Sequence, residues 1–82
     1  MFTEQQLTDL ENLLQHLNAA LHVEEATLEA GETLRLVLCN DRLCFPPLHI
    51  PRQAVDMSAV LAGQATAQQA LLHYIRATLP GI

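Results

Sequence analysis

The sequence predicts an α+β fold: an N-terminal helix, a two- or three-stranded antiparallel meander, a short helix and a C-terminal helix, with the helices packed on one sheet face. Three observations predict it. Leu34, Leu36 and Leu38 alternate with Arg35, Val37 and Cys39, the period-two pattern of a strand with one buried face. Asn40-Asp41-Arg42 follows, and Asn and Asp tolerate the left-handed backbone of tight hairpin turns. Leu7, Leu10, Leu14, Leu17 and Leu21 recur at the three- and four-residue spacing of a helical stripe.

The first helix is expected over Phe2 to Val23. Thr3 is placed to cap it, and Gln6 completes a capping box. Phe2 and Leu7 fit a hydrophobic staple across that cap. The leucine stripe, widened by Leu13 and Ala20, faces away from Gln5, Thr8, Asp9, Glu11, Asn12, Gln15, His16 and Asn18. Such a stripe serves either as core beneath the sheet or as a seam for pairing with a second copy.

Val23, Ala26 and Leu28 do not alternate cleanly. A first strand over 23–28 is the preferred reading, and a continuation of the first helix is the alternative. Glu29-Ala30-Gly31-Glu32 reads as a turn, with glycine free to take positive φ.

Two hairpin registers fit the central stretch. With Asn40-Asp41 as the loop, Leu38 faces Leu43 and Leu36 faces Phe45. With Asp41-Arg42 as the loop, Leu38 faces Phe45 and Cys39 faces Cys44. Opposed residues share a face, so both registers place Leu34, Leu36, Leu38, Leu43 and Phe45 on the core side. Both place Val37, Cys39 and Cys44 on the other side. Pro46-Pro47 interrupts the ladder because neither residue has an N–H to donate, and Leu48-His49-Ile50 resumes it as a short edge segment.

Beyond Pro51, Asp56 is a cap for a short helix carrying Met57, Val60 and Leu61, and Gly63 is its stop. The last helix is expected over Thr66 to Leu79. Thr66 and Gln69 repeat the capping box, and Ala67, Ala70, Leu71, Tyr74, Ile75 and Thr78 share a face. Pro80-Gly81 ends it, leaving Ile82 as a free tail.

A chain of 82 residues is read as one domain, 1–82. Sixteen leucines are more apolar surface than one short sheet face hides, which points to an interface. Charge is segregated. Residues 1–34 hold seven acids and no Lys or Arg, whereas Arg35, Arg42, Arg52 and Arg76 lie beyond them. With no lysine and a net charge of -5, direct contact with nucleic acid is not expected. No apolar run reaches the ~20 residues that span a bilayer, so no membrane contact is expected. No basic stretch leads into an apolar segment as in a signal peptide, so the expected location is cytoplasmic, with cysteines reduced.

Chemistry-bearing residues are sparse. Cys39, Cys44 and His49, spaced by five, are the best metal or thiol candidates, because thiolate and imidazole are zinc's preferred ligands. A fourth ligand is missing, and His16, His22 or His73 supplies it only by folding back. A Cys39–Cys44 disulfide needs the Asp41-Arg42 register. Neither a glycine-rich phosphate loop nor a carboxylate pair in an apolar setting is present in the sequence. The chain is therefore not expected to be an enzyme or to carry a cofactor or metal.

The expectation is a small acidic protein-binding module of the chaperone, anti-activator, immunity or inhibitor type, acting by stoichiometric association. Its predicted partner-binding residues are Leu7, Leu10, Leu14, Leu17 and Leu21, with Glu24, Glu25 and Glu29. The partner is another protein with a basic surface, or a second copy in a homodimer. Alternatives are a zinc- or thiol-dependent protein using Cys39, Cys44 and His49, and a structural subunit of a larger assembly. Replacing Leu14 and Leu17 with Glu distinguishes the two roles of the stripe. A core stripe leaves an unfolded chain by circular dichroism; an interface stripe leaves a folded chain that no longer associates.

Overall fold

The computed structural model describes residues 2–29 and 32–82. The elements run α1 (Glu4–Leu14), β1 (His22–Glu29), β2 (Thr33–Cys39), β3 (Leu48–Ile50), α2 (Met57–Leu61) and α3 (Ala65–Thr78). The three strands form an antiparallel sheet in the order β1-β2-β3. This is the expected α+β architecture, with the longer meander.

α1 starts as its sequence dictates. The Gln6 N–H donates to the Thr3 hydroxyl at 3.1 Å, and the Thr3 N–H donates to Gln6 Oε1 at 2.9 Å. Phe2 is buried in the core cluster and Leu7 packs, half-buried, against that same cluster. The helix stops at Leu14 instead of running to Val23. The His16 and Leu17 N–H groups donate three residues back, to Leu13 and Leu14, which tightens the last turn. Asn18 then reverses the chain: its side chain accepts from the Ala20 N–H at 2.9 Å, and its carbonyl from the Leu21 N–H at 3.0 Å. Short polar side chains that bond their own backbone favour turns over helix interiors.

β1 explains its own irregular pattern. Val23 lies opposite Leu38, yet Glu25 lies opposite Val37, so Glu24 is the extra residue of a β-bulge. Beyond it, Ala26 faces Leu36 and Leu28 faces Leu34. Were Glu24 paired in a regular ladder, Glu25 would fall opposite Leu36 on the core side. The bulge keeps the acids on the outer face and returns the apolar residues to the inner one. Of the expected turn before β2, Ala30 and Gly31 lie outside the described residues; Glu32 has φ 60 and donates its N–H to the Glu29 carbonyl.

The hairpin takes the Asp41-Arg42 register. The Asn40 N–H donates to the Leu43 carbonyl and the Phe45 N–H to the Leu38 carbonyl, which makes Cys39 and Cys44 directly opposed. The Asn40 side chain holds the turn by accepting from the Arg42 and Leu43 N–H groups. In this register Leu43 sits opposite Asn40 at the tip, beyond the cover of the helices. It is 53% exposed, so its placement in the core is corrected; Phe45 is half-buried against the core. Pairing resumes at Leu48 opposite Leu36.

α2 begins at Asp56, whose carboxylate accepts from the Ser58 and Ala59 N–H groups, and ends before Gly63 at φ 85. The capping box foreseen at Thr66 does not form. Gln64 is the N-cap of α3 and makes no side-chain cap, because Gly63 reverses the chain and the helix restarts ahead of Thr66. After α3, Gly81 at φ 86 turns the chain back, and Ile82 packs against the core instead of hanging free.

The core is one contiguous cluster. Leu10 and Leu14 of α1 and Leu71 and Ile75 of α3 join Leu34, Leu36, Leu38 and Ile50 of the sheet. Leu36→Ala is expected to cost about 2–5 kcal/mol in urea denaturation, because it empties a fully buried site. Leu43→Ala is expected to stay within about 0.5 kcal/mol of the parent chain, because more than half of its surface is exposed at the hairpin tip, outside the core cluster.

Candidate functional site

The sequence-predicted binding residues divide into two groups. Leu10, Leu14 and Leu21 are at most 1% exposed, and Leu7 and Leu17 are half-buried against the same core. The leucine stripe is therefore spent inside the molecule. The seam reading is corrected: pairing of two copies through this stripe would require opening the core. The helix ends at Leu14, so Leu17 and Leu21 reach the core from a turn and a strand approach.

Glu24, Glu25 and Glu29 are exposed on β1. β1 is eight residues long and lies at one edge of the sheet, paired on one side only among the described residues. Its outer face and its end carry two ion pairs and a histidine–carboxylate contact. Arg35 of β2 contacts Glu25 at 2.5 Å, His49 of β3 contacts Glu29 at 3.1 Å, and Arg52 contacts Glu32. All six side chains are at least 30% exposed, so each pair contributes little to stability. Glu24 makes no ion pair among the described residues. On the inner face, Leu28 at the end of β1 is 48% exposed beside a small hollow formed with Glu32, Arg52, Asp56 and Met57.

The cysteines are not reduced: Cys39 and Cys44 form a disulfide, with Cα atoms 3.9 Å apart. The register accounts for it. Directly opposed residues flanked by, and not sharing, ladder hydrogen bonds have the closest Cα atoms of an antiparallel pair. Cys39 is buried, Cys44 exposed. His49, the third member of the set read from spacing, is elsewhere. It lies opposite Arg35 and contacts Glu29, so the Cys39-Cys44-His49 constellation is corrected.

His22 takes its place. It is the register partner of Cys39, and Glu24 follows two residues later on the same side of β1. One ligand atom from each of His22, Glu24 and Cys39 lies within 4.8 Å of the other two. The strand reading of 23–28 stops one residue short of His22 and sets no register against β2, so the sequence alone did not bring His22 to Cys39.

A cleft of about 350 Å³ lies between α1 and the α2–α3 corner, lined by Asp9, Leu10, Asn12, His16, Val60 and Gln68 among others. Its polar side chains come from α1 (Asp9, Asn12), from the turn after it (His16) and from α3 (Gln68), and no charged group is buried among the described residues. Nothing there aligns a nucleophile with a base.

The disulfide spans only five positions, so its stabilising effect through the unfolded chain lies at the low end of the usual range for a disulfide. Reduction is expected to lower the unfolding free energy by about 2 kcal/mol while leaving the sheet folded. Urea denaturation followed by circular dichroism, with and without a phosphine reductant, measures this. Comparison of the chain with protein-family models, with curated proteins and with solved structures finds no match.

Proposed function

We propose that this chain is a protein-binding module that associates stoichiometrically through the free edge of β1. The observation that carries the reading is the edge strand itself. It is long, it carries Glu24, Glu25 and Glu29, and it ends in a half-exposed Leu28. A strand edge offers unpaired backbone donors and acceptors, which an extended segment of a partner satisfies by adding a strand. The carboxylates select what docks: two copies of β1 side by side would crowd acids together, whereas a basic segment gains at each one. The partner is therefore read as a second protein with a basic strand or loop, in preference to a homodimer, a nucleic acid or a membrane.

No helix among the described residues is long and apolar enough to cross a membrane. Cytoplasmic residence remains part of the reading only if the Cys39–Cys44 bond is reversible, since reducing compartments keep most thiols free.

Native mass spectrometry of the untagged chain purified from its own host supplies the complex, and hydrogen exchange on that complex tests the surface. The expected result is a heterocomplex with amide protection gained over residues 23–29 and affinity that falls steeply with added salt. Glu24→Lys/Glu25→Lys is expected to weaken it at least tenfold without loss of fold. Protection confined to the α1–α2 cleft, or affinity indifferent to salt, would overturn the β1-edge reading.

A further inference from the structure

We propose that the disulfide masks a metal site: reduction of Cys39–Cys44 releases two thiolates that, with His22 and Glu24, hold one zinc-class cation. The inference shares Glu24 with the β1-edge reading but does not rest on it. It rests on the juxtaposition at the outer corner of the sheet where β1, β2 and the hairpin return meet. Cys39 of β2 has His22 opposite it on one side and Cys44 on the other. Glu24, at the bulge, brings an exposed carboxylate to the same corner.

The geometry is near what zinc requires. Metal–ligand bonds of about 2.0–2.3 Å in a tetrahedron set the donor atoms about 3.3–3.8 Å apart. The His22, Glu24 and Cys39 donors already lie within 4.8 Å of each other, and Cys44, whose sulfur lies outside that group, joins them by swinging in from the hairpin return once the S–S bond is broken. Three of the four ligands sit on neighbouring sheet positions whose backbones are tied by ladder pairing. Cys44 and Glu24 are exposed and leave an entry path, while buried Cys39 forms the floor.

The chemistry balances as two steps. A dithiol reductant gives two electrons and two protons to the Cys39–Cys44 bond. That bond breaks to two thiols, and the reductant closes its own disulfide. A divalent cation then displaces the two thiol protons, because thiolate and not thiol is the ligand. In the oxidised chain the Cys39 sulfur is bonded to Cys44 and offers no thiolate. His22 and Glu24 alone are then too few to hold a structural ion. Oxidation state thus sets metal occupancy, and the cation in turn protects the thiols from reoxidation.

The test is a titration of the full chain with Co²⁺ alone, and then Zn²⁺ in competition, after reduction by a phosphine and removal of the excess. The expected result is one cation per chain by native mass spectrometry, with thiolate-to-cobalt charge-transfer absorption and tetrahedral visible bands. The oxidised chain is expected to bind at least a hundredfold more weakly. His22→Ala and Glu24→Gln are surface changes expected to leave the fold intact. Loss of an outer-shell partner alone typically weakens metal affinity about 10–100-fold, so loss of His22 as a ligand is expected to cost at least tenfold. Equal affinity in the oxidised and reduced chains would overturn the proposal, as would undiminished affinity in His22→Ala. So would one cation shared by two chains, or a reduced chain that loses its sheet by circular dichroism or takes no metal.

Discussion

Burial of Leu34, Leu36 and Leu38 is the constraint on which the rest of the structure depends. Each is fully covered, and full burial of a leucine contributes about 1.5–3 kcal/mol. In a chain of this size that is a large share of the net stability, which for small domains is only about 5–15 kcal/mol. β2 is central, so both neighbours must set apolar residues beside those leucines. β1 does so with Val23, Ala26 and Leu28, and β3 with Leu48 and Ile50. Leu10 and Leu14 from α1 and Leu71 and Ile75 from α3 close the layer.

Two local devices keep that layer in register. The bulge at Glu24 absorbs one residue of β1, so that acids and apolar residues separate onto opposite faces. Asn40 holds the hairpin turn with its side chain and thereby fixes the Asp41-Arg42 register. Both devices also decide what lies on the outer face. The bulge presents Glu24 and Glu25 at a free edge, and the hairpin register opposes Cys39 to Cys44. Surface chemistry here is a consequence of what the core requires.

The outer face is held chiefly by its disulfide, at about 2 kcal/mol, while its exposed charged and polar pairs add little. Changes there are felt at the edge and the corner without dismantling the leucine layer. Both proposals, a partner strand at the β1 edge and a change of oxidation state at Cys39–Cys44, draw on that separation.

Elements with strong periodicity were legible from the residues. The Thr3–Gln6 capping box, the alternating β2, the Asp56 cap and the Gly63 stop are local consequences of side-chain chemistry and appear as read. The sequence by itself determined the fold class, the identity of the inner sheet residues Leu34, Leu36 and Leu38, and the exposed character of Glu24, Glu25 and Glu29. Only the tertiary structure decided where α1 ends, because Leu17 and Leu21 keep helical spacing while reaching the core from a turn. It also decided that the leucine stripe is core and not interface, that Leu43 lies at an uncovered tip, and that Ile82 folds back. The histidine beside the cysteines is His22 and not His49 for the same reason. Spacing along the chain reports what one helix or strand can gather, whereas His22 and Cys39 meet through strand pairing, and that register is set by burial in three dimensions.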